Sequence, residues 1–268
     1  MLKIIDYQCF IYKFLLLILL FIYKISTTGK LTMKNYISRW WHDLVNLFYP
    51  PLCHACEQPL QYGEAYICLE CQLHLPQTNF TNDIKNGVTT KFEGRIPLVT
   101  GTALFYFTKI SRTQQLIHHI KYKDKREAAT YLGRILGEKL AQSPHYQGID
   151  IIVPVPMHAR KQHLRGYNQA ELFANGLNDI LHCKVENKAL IKTKMTETQT
   201  RKSRLQRLQN TEDVYEVATP SVFNGKNVLL VDDVLTTGAT LEACALAILA
   251  HAQDVRISIA TIACAKNN

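Results

Sequence analysis

Apolar residues recur at two periods along this chain, and the alternation between them predicts an α/β protein. Strand-like runs are expected at 99–107, 149–155, 227–232 and 255–263, because β-branched and apolar residues crowd there over short spans. Helical spacing is expected over 112–121, 126–141 and 166–181, where Ala170, Leu172, Phe173, Leu177 and Leu181 line one face. A further Ala/Leu-rich helix begins after Gly238. Strands alternating with helices imply a mainly parallel sheet covered on both faces, with ligands at the C-terminal edge of its strands. Residues 79–94 are polar and hold Asn79, Asn82, Asp83, Asn86 and Gly87. They read as a linker between a small N-terminal module at 33–78 and a larger domain at 95–268. Within that module, Trp40, Trp41, Leu44, Val45 and Leu47 predict a short amphipathic helix ending at Pro50-Pro51.

Residues 1–32 stand apart as an apolar extension. Phe14 to Tyr23 is an unbroken apolar run, too short for the roughly 20 residues of a spanning helix. Three readings stay open: translation from upstream of a natural start at Met33, a membrane anchor, or a signal peptide, which lacks a small-residue cleavage site. The net charge of the 268-residue chain is +9, of which the first 32 residues supply +3 through four Lys and one Asp. A basic balance fits an anionic partner without choosing among phosphates, nucleic acid and a membrane surface.

Cysteine spacing adds a metal. Cys53-x-x-Cys56 and Cys68-x-x-Cys71 are two knuckles separated by eleven residues. Four thiolates so spaced close a tetrahedral Zn²⁺ site with no open position, which makes the site structural. Disulfides are the alternative and would need an exported chain. Cys244 and Cys264 lie in an apolar helix and strand and read as core residues.

The densest chemistry lies at 227–240. An apolar strand runs into Asp232 and Asp233, followed by Thr236-Thr237-Gly238-Ala239-Thr240 and a helix. Paired carboxylates accept from vicinal hydroxyls, and turn amides at a helix N-terminus hold a phosphate. The bland alternative is a solvated strand end. A Walker P-loop is excluded, because no Gly-x-x-x-x-Gly-Lys-Ser/Thr occurs. A second cluster follows Val153-Pro154-Val155-Pro156: Arg160, Lys161 and Arg165 would neutralise phosphate oxygens or form a basic solvated turn. Residues 192–207 carry six cations, no aromatic residue and one acid, Glu197. That composition suits phosphate contacts better than base stacking.

The 227–240 stretch resembles the phosphoribosyl pyrophosphate (PRPP) signature of type I phosphoribosyltransferases. Together with the paired cysteine knuckles, Pro154–Pro156, Arg165-Gly166-Tyr167-Asn168-Gln169, Lys121-Tyr122-Lys123-Asp124 and Thr198-Gln199, it resembles the ComF (competence protein F) family over about residues 35–265. The resemblance implies a type I phosphoribosyltransferase-like fold joined to a zinc module. It assigns ribose hydroxyls to Asp232 and Asp233, and the 5′-phosphate to Thr236, Thr237, Gly238, Ala239 and Thr240. It places Arg160, Lys161 and Arg165 at the pyrophosphate, with Mg²⁺ bound alongside PRPP. Residues 196–207 correspond to the loop that closes over the ligand, and Arg201 within it joins the two acids as a catalytic candidate. Purine-salvage enzymes carry Asp where Thr236 stands, so the departure argues against that chemistry; orotate-type members have Thr there.

The implied role is a PRPP-binding protein of DNA uptake for natural transformation. The alternative is an active Mg²⁺-dependent transferase with an unknown acceptor. Implied partners are PRPP, single-stranded DNA and a membrane-associated uptake or helicase complex, at the cytoplasmic side of the membrane.

Overall fold

The computed structural model describes residues 40, 44–46, 49–122, 126–193 and 214–266. The chain divides into two compact units, Met1–Pro51 and Leu52–Asn268. In the first, Trp40 and residues 44–46 are helical, in keeping with the expected amphipathic helix. The apolar run at 14–23 lies outside the described residues. No helix among the described residues is long and apolar enough to cross a membrane.

The second unit is built on a five-stranded parallel sheet, ordered β1 (Leu98–Phe107), β7 (Arg256–Ala265), β6 (Asn227–Leu235), β2 (Ile151–Pro154), β3 (Lys184–Val185). A separate antiparallel pair, β4 (Leu190–Lys192) and β5 (Tyr215–Val217), forms a two-stranded sheet of its own. Both faces of the large sheet are covered, which is why its strands read as apolar runs. On one face, α2 (Arg112–Tyr122), α3 (Arg126–Gln142) and α5 (Gln169–Leu181) bury Leu116, Leu132, Leu136, Phe173 and Leu177 against Leu229 and Val231. On the other, α6 (Ala239–His251) with β4 and β5 buries Cys244, Ile248 and Tyr215 against Leu230 and Ile259. Cys244 and Cys264 are core residues, as their apolar settings predicted.

Helices α3 and α5 approach closely because each has a glycine at the crossing. A Cβ on Gly133 or on Gly176 would overlap backbone atoms of the opposite helix.

Two expected elements differ in detail. The helix expected over 166–181 starts three residues later, as α5 after Asn168, and a separate short helix, α4 (Ala159–Arg165), precedes it and ends at Gly166, which adopts φ 77°. Asn168 caps α5 by accepting from the Ala170 amide at 3.1 Å. A left-handed glycine followed closely by an Asn cap ends one helix and begins another. Residues 79–94, expected as a linker, form two 3-10 turns (Phe80–Asn82 and Thr89–Phe92) with Val88 and Phe92 buried in the core. The buried Asn86 organises them, its side-chain amide donating to Gly101 O at 2.8 Å and its oxygen accepting from the Val88 amide at 2.9 Å. Asn79, Asn82 and Asp83 there are exposed, but Asn86 spends its polar side chain on buried backbone groups.

The cysteine module packs in this same unit. Its short helix α1 (Leu69–His74) and residues Ile67, Cys71 and Leu75 belong to the core cluster on the α2/α3/α5 face.

Candidate functional site

Strand order places the two acids. β6 lies between β7 and β2, with Asp232 opposite Thr261 and Val231 opposite Pro154. The Val155 amide donates to Val231 O at 2.8 Å, so the turn leaving β2 starts beside the acids. Asp232 and Asp233 are both half-buried. Successive strand residues point to opposite faces, and the two carboxylates follow suit. Asp233 Oδ2 meets Lys121 Nζ of α2 at 2.8 Å. Asp232 lies in the electrostatic field of Lys192 on β4, Tyr215 on β5 and Cys244 on α6.

Burial pushes the Asp232 carboxyl up to about 7, and the neighbouring Asp233 charge pushes the same way. The Asp233 amide, donating to Asp232 Oδ1 at 2.8 Å, and the charges of Lys121 and Lys192 oppose that rise. Lys192, bonded to Tyr215 Oη at 3.1 Å, is itself held below the usual lysine range, chiefly by burial. Burial likewise pushes the Cys244 thiol up, which makes it a poor nucleophile.

The phosphate-type turn follows. Thr236, Thr237 and Thr240 are exposed, and Gly238 caps the N-terminus of the 13-residue α6 at φ 83°. The Ala239 amide donates to Thr237 Oγ1 at 3.5 Å. A helix N-terminus with exposed turn amides favours an anion. One feature opposes that: Glu242, an acid in the first turn. Arg95 answers it. Its Nε donates to Glu242 Oε1 at 2.9 Å, a second nitrogen reaches Oε2, and Nη1 donates to Thr237 O at 3.1 Å. One guanidinium thus cancels the unwanted charge and anchors the turn. Beneath it, the Phe92 ring lies against Gly238.

On the second cluster, Arg160 and Lys161 are exposed on α4, whose first turn is capped by His158 Nδ1 accepting from the Arg160 amide at 3.2 Å. Lys161 is close enough to Lys192 to help depress it, which puts Lys161 on the side of Asp232. Arg165 instead donates to Gln169 Oε1 at 3.1 Å. The turn between β2 and α4 is pinned by Asn168 Nδ2, donating to Val155 O at 3.0 Å. Arg201 and the 196–207 segment lie outside the described residues.

The four knuckle cysteines converge. The Sγ atoms of Cys53, Cys56, Cys68 and Cys71 all lie within 4.8 Å of one another, and those of Cys56 and Cys68 are 3.7 Å apart. Tetrahedral Zn–S bonds of about 2.3 Å require sulfurs about 3.8 Å apart, so the donor set fits Zn²⁺. Amides of Cys68 and Ala55 donate to Cys53 Sγ at 3.3 and 3.4 Å, and Arg112 Nη1 approaches Cys71 Sγ at 3.8 Å. These donors favour thiolates. His74 binds Glu70 O through Nδ1 at 2.8 Å, outside the sulfur set.

Sequence reading missed Lys121, Arg95, Phe92 and Tyr215 as parts of this site. Lys121 had a signal, since it opens a motif shared with the resembled family; the others had none.

The phosphoribosyl transferase domain family matches residues 136–268. The DNA utilization protein YhgH of Escherichia coli K12 is 30% identical over 208 residues, covering 72% of this chain and 88% of that protein. Competence protein F of Haemophilus influenzae is 34% identical over 130 residues, 47% of this chain and 57% of that protein. Among solved structures, the glutamine PRPP amidotransferase from B. subtilis complexed with ADP and GMP matches with a TM-score of 0.38 at 16% identity. The match covers 55% of this chain and 30% of that one.

Proposed function

Because this chain belongs to the ComF family of type I phosphoribosyltransferase-like proteins, we propose that it binds PRPP with Mg²⁺ at Asp232–Thr240 and serves the uptake and use of DNA. The observation that carries the ligand is the sequence of features along one strand edge. Two carboxylates lie in the C-terminal half of β6, a left-handed glycine follows its end, and a 13-residue helix presents its N-terminus. The DNA role rests on the names of the relatives, a DNA utilization protein and a competence protein.

In this reading Asp232 and Asp233 accept from the ribose 2′- and 3′-hydroxyls. The amides and hydroxyls of Thr236 to Thr240 hold the 5′-phosphate. Lys161 and Arg160 face the pyrophosphate, with Arg165 behind them at Gln169. Mg²⁺ would supply charge neutralisation between ribose and pyrophosphate oxygens. Asp232 accepts a hydroxyl more strongly when ionised, and the charges of Lys121 and Lys192 favour that form. The four-cysteine module holds Zn²⁺ structurally. The place of action is the cytoplasm, at the inner face of the membrane, where incoming single strands would meet a chain of net charge +9.

Calorimetric titration of PRPP plus Mg²⁺ into the zinc-loaded protein tests the ligand. Binding by the parent and its loss in Asp232→Asn/Asp233→Asn is the expected outcome; a folded parent that binds no PRPP sinks the reading. Fluorescence anisotropy with labelled single-stranded oligonucleotides tests the DNA role, which predicts sequence-tolerant binding that weakens steeply with salt. Turnover would appear as pyrophosphate release on adding an acceptor base.

A further inference from the structure

Lys121 is a residue of this site that the ligand assignment does not use. It projects from the last turn of α2 and closes on Asp233 Oδ2 at 2.8 Å, with both side chains largely shielded from water. We propose that Lys121 is a positioning residue of the ribose site. Its ammonium fixes one oxygen of Asp233 and leaves Oδ1 aimed to accept a sugar hydroxyl, while the four-cysteine module fixes Lys121 by holding α2 at its first and last turns.

The helix is anchored along its length, and the anchors are of different kinds. At its start, Arg112 Nη1 donates to Glu70 Oε1 at 3.0 Å and approaches Cys71 Sγ at 3.8 Å, so the first residue of α2 is tied to α1 of the cysteine module. In its last turn, His119 Nε2 lies 3.1 Å from Glu57 Oε1 of the same module. Tyr167 Oη donates to Ile120 O at 2.6 Å, satisfying a carbonyl that the helix end would otherwise orphan. Leu116, Ile117 and Ile120 are buried against the sheet. An 11-residue helix is about 16 Å long. It therefore links the four sulfurs to the ribose acid as one rigid strut.

Charge explains why the strut should matter. Two adjacent carboxylates repel, and a sugar-binding site needs both ionised. Asp233 is faced by Lys121 and Asp232. Asp232 is faced by Asp233, Lys121 and Lys192, with the neutral Tyr215 and Cys244 beside it. Removing Lys121 takes away one of the two cations that offset this repulsion, so protons compete with the sugar at higher pH. A purely structural ion pair would leave the pH profile where it was.

This proposal rests on the PRPP reading, and its test separates the two. PRPP–Mg²⁺ affinity is measured calorimetrically from about pH 6 to about pH 8.5 for the full zinc-loaded chain, Lys121→Met, Lys121→Arg and Arg112→Met, with zinc content and thermal unfolding recorded for each. The expected result for Lys121→Met is affinity weakened about tenfold or more near neutral pH, as for loss of a charge-assisted contact, with the plateau of affinity moved to higher pH. Lys121→Arg should restore most of the affinity and the original profile. Arg112→Met should keep its zinc and bind PRPP more weakly than the parent. Parent-like affinity and pH profile in Lys121→Met would overturn the proposal while leaving the PRPP reading intact. So would a loss with no shift in profile and no rescue by arginine. Unchanged binding by Arg112→Met would remove the Arg112 tether's part in it. A parent that binds no PRPP would overturn both readings together.

Discussion

Gly238 and Phe92 are in contact across 146 positions of sequence: a Cβ built on Gly238 would lie 2.9 Å from Cε1 of the Phe92 ring. Gly238 also holds φ 83°, so a side chain there meets both backbone strain and a buried ring. Gly238→Ala should destabilise the protein by about 1–3 kcal/mol. It should weaken PRPP binding further by displacing the turn amides. Thermal unfolding and calorimetry on one variant check both effects, and an alanine that leaves Tm and affinity unchanged would remove the assigned role.

Arg95 and Glu242 predict a different pattern. Arg95→Met leaves a carboxylate uncompensated at a helix N-terminus expected to hold phosphate. PRPP affinity should fall by roughly tenfold, since repulsion replaces a neutral first turn. Adding Glu242→Gln should recover most of the loss, because it removes the charge that Arg95 exists to cancel. A double-mutant cycle measured by calorimetry reads the coupling directly, and additive losses would count against it.

Asp232 sets a pH dependence of stability. Its folded carboxyl is raised to about 7 from an ordinary value near 3.8. A raised acid contributes stability that is fully present below the unfolded value and is lost as pH rises through about 7. Asp232→Asn removes that loss. The variant should therefore be more stable than the parent at about pH 8, by roughly 2–4 kcal/mol, with the advantage disappearing toward about pH 4. Urea unfolding at several pH values measures it. PRPP affinity of the parent should move the other way, rising with pH until Asp232 is ionised.

The four-cysteine site predicts one equivalent of zinc per chain, released when the thiols are titrated with a mercurial. Replacing Cys53 with Ser should abolish stoichiometric zinc and lower Tm, because metal binding stabilises the fold that forms the site. Cys53 is buried and accepts two backbone amides, so serine leaves donors without their sulfur. Full zinc retention in Cys53→Ser would refute a four-sulfur site.

Much of this molecule was readable in one dimension because its chemistry is local. The Cys-x-x-Cys pairs, the Asp232-Asp233 doublet and the Thr236–Thr240 turn are each contiguous, so spacing alone singles them out, and for the four cysteines it brings the sulfurs together. The parallel strands were equally legible, since burial on both faces writes an uninterrupted apolar run.

Residues 79–94 were the instructive exception. Their Asn and Gly content matches a solvated connector, yet Asn86 commits its polar groups to the backbone while Val88 and Phe92 enter the core. Composition cannot separate a polar residue facing water from one satisfying a buried amide.

From its sequence, this protein had an α/β fold, a four-cysteine cluster able to hold a metal ion, and a carboxylate pair followed by a glycine turn and a helix, because periodicity and short spacing encode each. Only the tertiary structure joined Lys121 to Asp233, Arg95 to Glu242 and Phe92 to Gly238. The members of each pair lie far apart in sequence and carry no periodic signal. They meet when β6 takes its place between β7 and β2 and the surrounding elements pack over both faces of the sheet.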